Sequence, residues 1–299
     1  MNLLEHFLRP TQRQLFKRLC KKFNGKTLIS KGNFILVRGK APVMLVAHLD
    51  TVHDEPVRDI CTSADGNILM SPQGIGGDDR CGVFALVKIY QSAQVKPWLL
   101  FTTDEEIGGV GAKAFCRAHK QHKLHKEIDT LKFIIELDRK GKHDAVYYSC
   151  DNPDFETYIT GKGFKTAQGS FSDISLIAPE LGIAVVNLSS GYYHAHTLHE
   201  YINRVELDST IAKVVSIIND ASRLPRFEYI EKTISEPSKI IRRDDSIYLS
   251  RRLPAEFRDI YEYLLDFYSV NELEYFRAQF GDQILWQIYN DEVALFYHY

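Results

Sequence analysis

The chain is short of the features that mark several whole classes of protein. Neither sign of charge is in excess: 37 basic residues face 39 acidic ones, for a net charge of −2. No field therefore draws the chain to nucleic acid or to an anionic membrane. Long apolar runs are missing too. The longest, such as Pro42 to Ala47 and Trp98 to Phe101, have the length of a strand and fall far below a membrane span. Cysteine is sparse. Cys20, Cys61, Cys81, Cys116 and Cys150 are odd in number and show no CxxC spacing, which excludes a disulfide framework and fits a reduced, cytoplasmic setting. The opening MNLLEHFLRPTQ has no basic start and breaks its apolar stretch with Glu5 and His6, so no secretion signal is expected.

What is present is the composition of a globular protein. Apolar residues make up 44% and charged residues 25% of 299 positions, enough for one large or two small domains. An amphipathic stretch over 12–23 reads as a helix stopped by Asn24-Gly25, and strand-like segments follow at 27–30 and 33–38. A grammar then repeats. Short apolar runs (PVMLVAH, WLLFTT, LKFIIEL, GIAVVNL) each lead into a Gly- or acid-rich loop and often a helix, with helices expected over 80–92, 111–121, 154–161 and 207–223. Strands buried on both faces and alternating with helices predict an α/β fold, a mostly parallel mixed sheet between helical layers. From Arg226 the composition shifts to Tyr, Phe and charge. Residues 1–225 are expected to form the main domain and 226–299 a small α+β appendage. The appendage would hold a connector (KTISEPSKIIRRDDS), helices over 254–268 and 271–280, and a hairpin of ILWQIY and EVALFYHY turning at Asn290-Asp291.

The chemistry-bearing residues sit where the apolar runs end. The first run delivers His48-Leu-Asp50, the second Asp104-Glu105-Glu106 and the third Glu136-Leu-Asp138. The fourth leads into Tyr192, Tyr193, His194, His196 and Glu200, and GIGGDDRCG places Asp78 and Asp79 at a helix start. Parallel strands expose their carboxyl ends along one edge, so these residues would converge there. Each piece alone has a plainer use: Asp78-Asp79 as a helix cap, Asp104 to Glu106 as a solvated first turn, the histidines as surface loop residues. His119, His122 and His125 recur every three residues and read best as a solvated helical face.

Taken in order, however, the pieces resemble the two-zinc exopeptidases, a clan that includes peptidase T, carboxypeptidase G-type enzymes, tetrahedral aminopeptidases and single-domain leucyl aminopeptidases. AHLDTV, GGDDRCGV, TTDEEIGGVGA, IELD and AHTLHEYI carry the resemblance, over Val43 to about Arg223. It implies that His48 and Asp138 hold one metal, Glu106 and His196 the other, and that Asp78 bridges both. Asp50 would orient His48, and Glu105 would be the catalytic base. His196 is preferred to His194 because it stands four residues before Glu200, as the clan's ligand does. His194, Tyr192, Tyr193 and, in the aminopeptidase-like stretch SFSDISLIAPELGIAVVNL, Asp173 are candidates for substrate or oxyanion contact. Two divalent ions, zinc first with cobalt or manganese as alternatives, balance three carboxylates and a bridging hydroxide to neutrality.

The gaps between motifs are informative as well. The interval from Asp138 to His196 is too short for the lid of the carboxypeptidase-like members, and that from Asp50 to Asp78 is too short for the extra domain of the tetrahedral enzymes. The expectation is a lid-less metallo-exopeptidase, an aminopeptidase on short peptides that uses a bridging water or hydroxide. The alternatives are a deacylase of N-acyl amino acids, a carboxypeptidase-like enzyme and a metal-binding pseudoenzyme. The partner is the small substrate, with homo-oligomerisation left open and neither nucleic acid nor membrane expected.

Overall fold

Thr11 starts the first long helix. Its hydroxyl accepts from the Gln14 N–H, while the Gln14 side chain accepts from the Thr11 N–H, a reciprocal capping box. A computed structural model describes residues 3–30, 32–53, 55–169, 171–232, 253, 255–265, 273–274, 276–277 and 281–296. It divides into one unit over Met1–Glu231 and a second over Lys232–Tyr299.

In the first unit, α1 (Glu5–Leu8) and α2 (Gln12–Lys22) precede β1 (Thr27–Ser30), β2 (Phe34–Val37) and β3 (Val43–His48). The short strands β4 (Cys61–Thr62) and β5 (Ile68–Met70) lead to α3 (Gly77–Ser92), β6 (Trp98–Thr102) and α4 (Val110–Lys120). Then come β7 (Phe133–Arg139), β8 (Asp144–Val146), α5 (Pro153–Thr160), β9 (Lys165–Ala167) and α6 (Asp173–Leu181). The unit's last regular elements are β10 (Val185–Ser189), β11 (Tyr192–Tyr193), β12 (Tyr201–Asn203) and α7 (Arg204–Asp220).

Eight strands form one sheet in the order β1-β2-β6-β3-β7-β10-β8-β9. The central four, β6-β3-β7-β10, are parallel, with antiparallel joins at β2 and β8 on either side. All residues of β3, β6 and β10 are buried, as strands covered on both faces must be. The main α/β architecture is therefore the one expected.

The connections decide where a site can form. The chain leaves β3 through α3 to reach β6 on one side, then leaves β6 through α4 to reach β7 on the other. Keeping a right-handed crossover while reversing direction puts the helices on opposite faces. Accordingly α3 packs with α7, and α4 packs with α6. The loops after β3 and after its two neighbours part at that point, opening a crevice at the carboxyl end of β3. His48 is its last residue. A second, small antiparallel sheet, β11-β12-β5-β4, ties the segment on either side of residues 194–200 to the rest of the unit.

The first unit runs through Glu231 because Ile183 bridges to Glu228 and Cys150 to Glu231, while Phe227 packs its ring against Phe133 and Phe155. The second unit departs from the sequence expectation. Where a hairpin was anticipated, Gln283–Phe296 is one helix, with Asn290 and Asp291 inside it. Leu285 and Ile288 stand three residues apart and are buried with Leu253, Phe257, Ile260, Tyr261 and Leu264, the last four from the helix Ala255–Leu264. Helical spacing of apolar residues therefore prevails over the turn signal of Asn-Asp. The connector beyond its first residue and most of 271–280 lie outside the described residues. Among those described, no helix is long and apolar enough to cross a membrane.

Candidate metal centre

Three strand ends and two loops deliver the cluster. β3 supplies His48, β7 supplies Asp138, and the turn after β6 supplies Glu105 and Glu106. The start of α3 brings Asp78, and the loop between β11 and β12 brings His196. Asp79, joined to Asp78 by a cis peptide bond, is fully buried and ties this loop to the sheet. Its carboxylate accepts from the His48 N–H at 3.1 Å and from the Gly82 N–H at 2.9 Å. Gly82 must be glycine here, since a Cβ would lie 2.3 Å from the Leu137 carbonyl oxygen and 2.4 Å from Asp79 Oδ1.

The ligand-type atoms fall into two trios that share a residue. Atoms of His48, Asp78 and Asp138 lie within 4.8 Å of one another, and so do those of Asp78, Glu106 and His196. His48 Nδ1 is 3.3 Å from Asp50 Oδ1, which turns Nε2 toward Asp78 Oδ1 at 3.1 Å and Asp138 Oδ1 at 3.6 Å. His196 Nε2 stands 3.3 Å from Asp78 Oδ2 and 3.2 Å from Glu106 Oε2. One oxygen of Asp78 thus faces each histidine. Glu105 also lies beside His48 and Glu106, within the same 4.8 Å.

The electrostatics are those of a pocket that needs positive charge. Burial opposes a charged His48 ring, yet Asp138, Asp50 and Asp78 together outweigh it and raise its pKa. His196 is likewise pushed up to about 11, its burial overcome by hydrogen bonds to Asp78 and Glu106. Asp78, between the two rings, is held well below the carboxylate range despite its burial. Burial and the Asp78 charge push Asp138 up to about 7, and burial raises Glu105 well above the ordinary glutamate value. Glu106 Oε1 is buried without a hydrogen-bond partner. Among the described residues, no lysine or arginine pairs with Asp78, Glu106 or Asp138. Imidazole nitrogens and carboxylate oxygens in this arrangement fit divalent ions of the zinc type, which would replace the protons now shared among them.

The other candidates fall around the cluster. Tyr192 is buried and its hydroxyl donates to Asp138 Oδ1 at 3.2 Å, so it orients that carboxylate and does not face open space. The Tyr193 hydroxyl is bound to Glu206. His194 is exposed, its ring against Tyr201, and of the two histidines only His196 reaches the acids. Asp173 is fully buried at the start of α6, where burial pushes its pKa up to about 6. Of the closely spaced histidines, His119 joins Glu180 and Asp129 at 2.9 and 3.0 Å and binds no part of the cluster.

Two residues take roles that the sequence did not assign to them. Glu200, fully buried, accepts from the Gly76 and Asp78 N–H groups, each at 2.9 Å, and lies 2.9 Å from His53 Nε2, so it clamps the loop that carries Asp78. Asn187 accepts from the Asp138 N–H at 2.9 Å and donates to the Asp138 carbonyl at 2.7 Å. The His196-to-Glu200 spacing was visible, but its partner Asp78 lies far away in sequence, and nothing local marks Asn187.

Fold and site together are those of a metallopeptidase and resemble the zinc exopeptidases. The chain matches the model of Peptidase family M28 over residues 34–179, a stretch that holds every cluster residue except His196. A tripeptidase from Staphylococcus aureus shares the fold with a TM-score of 0.56 at 15% identity, covering 74% of this chain and 97% of that one. The aminopeptidase PepT from Bacillus cereus gives 0.53 at 17% identity, covering 73% and 97%. The TET1 peptidase of Pyrococcus horikoshii gives 0.53 at 13% identity, covering 72% and 98%. No curated protein matches the chain in sequence.

Proposed function

We propose that the protein is an aminopeptidase that hydrolyses short peptides at a two-metal centre, zinc being the ion that suits the donors. The observation that carries this reading is the pair of ligand trios sharing Asp78, with Glu105 alongside. His48 and Asp138 would hold one ion, Glu106 and His196 the other, with Asp78 between. Bound divalent ions would acidify a water and polarise the scissile carbonyl.

The rest of the work falls to the chain. Asp50 fixes the His48 tautomer by accepting from Nδ1. Glu105, buried beside His48 and Glu106, takes the proton of the attacking water on a side-chain oxygen and returns it to the leaving amine. The free α-amine of a peptide gives a second point of attachment beside the cluster, and that hold orients the bond for attack. Self-association belongs to the same reading, since the TET1 peptidase that shares the fold is described as assembling into a tetrahedron or a large octahedral shell.

The test compares kcat/KM for a free dipeptide, its N-acetyl form and an N-acyl amino acid. The free dipeptide should be the best substrate. If the acylated compounds are cleaved faster, the protein is a deacylase or carboxypeptidase-like enzyme on the same metal chemistry.

A further inference from the structure

The N-terminal segment lies outside residues 34–179, the stretch that matches the peptidase model, yet its contacts end on residues flanking the site. Arg80, two positions after Asp78 and only 4% exposed, donates through Nη1 to the carbonyls of Phe7 at 3.0 Å and Pro10 at 2.9 Å. Phe7 also sets its ring edge-on to Phe84 of α3 at 5.6 Å. Thr11 then caps α2, so the first residue of that helix, Gln12, is held at a defined place.

Both functional atoms of the Gln12 amide meet one residue of the turn after β6. Its Nε2 donates to Asp104 Oδ1 at 2.8 Å, and its Oε1 accepts from the Asp104 N–H at 3.1 Å. Asp104 has φ of 57°, in the left-handed region. Residues with a Cβ adopt that region only where their surroundings hold them in it. On the other side of Glu105, the Glu106 N–H donates to Asp50 Oδ2 at 3.1 Å. The Glu105 carbonyl accepts from the Gly108 and Gly109 N–H groups at 2.8 and 2.9 Å. The backbone is therefore pinned on both sides of Glu105, by Gln12 before it and by Asp50 after it.

We propose that Gln12 is a positioning residue for Glu105. By fixing the left-handed Asp104 it aims the Glu105 carboxyl at the reacting water, and α1 and α2 serve as the strap that holds it there. This rests on the reading of Glu105 as the group that moves the proton. A side chain supported on only one flank samples other directions, and a misplacement of about 1 Å can cost on the order of 10²-fold in rate.

The experiment uses the full chain loaded with zinc and a free dipeptide as substrate. Q12A should lower kcat by about 10–100-fold while KM and metal content per chain stay at wild-type values. Amide exchange at residues 104–106 should quicken in the metal-free protein. On an E105Q background the same Q12A change should cost nothing further, because the group it aims is gone. Q12E should also be slow, and adding D104N should restore kcat, since donor and acceptor then exchange sides. A wild-type kcat in Q12A, an equal loss with and without E105Q, or metal lost along with rate would overturn the positioning role. If Q12A does not fold, the Q12E pair decides: recovery with D104N supports the role and no recovery overturns it. A wild-type rate in E105Q itself would instead overturn the reading of Glu105 as the base.

Discussion

At the scale of single residues, neighbours in sequence meet different surroundings. Glu105 and Glu106 follow one another in the turn after β6, but only Glu106 sits in the trio with Asp78 and His196, its Oε2 3.2 Å from the imidazole. Glu105 is 9% exposed and lies beside His48 and Glu106 without joining that trio, a place from which a carboxylate can take and return a proton. Glu105→Gln should therefore lower kcat by about 10²–10⁴-fold with metal content unchanged. Glu106→Gln should lose an ion. Metal analysis beside kinetics on both variants checks this, and exchanged phenotypes would reverse the assignment. The pair was legible in the sequence as acids at a strand end. Which of the two faces Asp78 came from the resemblance to the two-zinc exopeptidases and not from the residues themselves, since the Gln12 and Asp50 contacts to this turn span 92 and 56 positions.

At the scale of elements, helices are joined across the sheet's outer face by charge as well as by packing. His119, near the end of α4, stands between Glu180 of α6 and Asp129 of the 3-10 turn Lys126–Thr130. Burial would lower its pKa, but the hydrogen bonds to Asp129 and Glu180 prevail and raise it. Burial would raise Glu180, and hydrogen bonds from His119 and Lys120 lower it instead. A raised histidine stabilises the fold fully below its unfolded pKa, about 6.5, and that contribution fades as pH rises through the folded value. A lowered glutamate stabilises above about 4.3 and loses that contribution as pH falls. His119→Gln should thus lower Tm most between about pH 4.5 and 6.5, with the gap from wild type narrowing at higher pH. Thermal melts of both proteins across pH 4–9 would show it. A gap that widens above pH 7 would remove His119 from this role. In sequence the three histidines looked like a solvated face, since neither carboxylate is near them in helical register.

At the scale of the whole molecule, the site joins five separate stretches of chain, so metal and fold should be thermodynamically linked. An ion bound only by the native state stabilises it by mass action. Removing metal with a chelator should lower Tm, and zinc should restore it, close to two ions per chain. The contacts of residues 226–231 close the first unit on its own core, so a chain ending at Glu231 should retain both the ions and the shift. Substoichiometric metal with no thermal shift would remove the two-ion centre. A truncated chain that is insoluble or metal-free would show instead that the second unit contributes to the first.

The sequence by itself determined the periodic elements and the chemical types at their ends. Short apolar runs bounded by turn signals read as strands covered on both faces, and parallel strands expose their carboxyl ends along a common edge. That logic set the acids and histidines at the strand ends along one edge, and the resemblance to the two-zinc exopeptidases singled out His48, Asp50, Asp78, Glu105, Glu106, Asp138 and His196 among them. Tertiary structure decided everything that depends on partners distant in the chain. It alone shows that Tyr192 turns to Asp138, that Glu200 holds the Asp78 loop, and that Gln12 grips Asp104. It also turned the expected terminal hairpin into the helix Gln283–Phe296, because Leu285 and Ile288 find a buried surface only at helical spacing. The physical reason is common to all of these. Periodicity is written locally, whereas a hydrogen bond between residues dozens of positions apart exists only once the chain has closed around it.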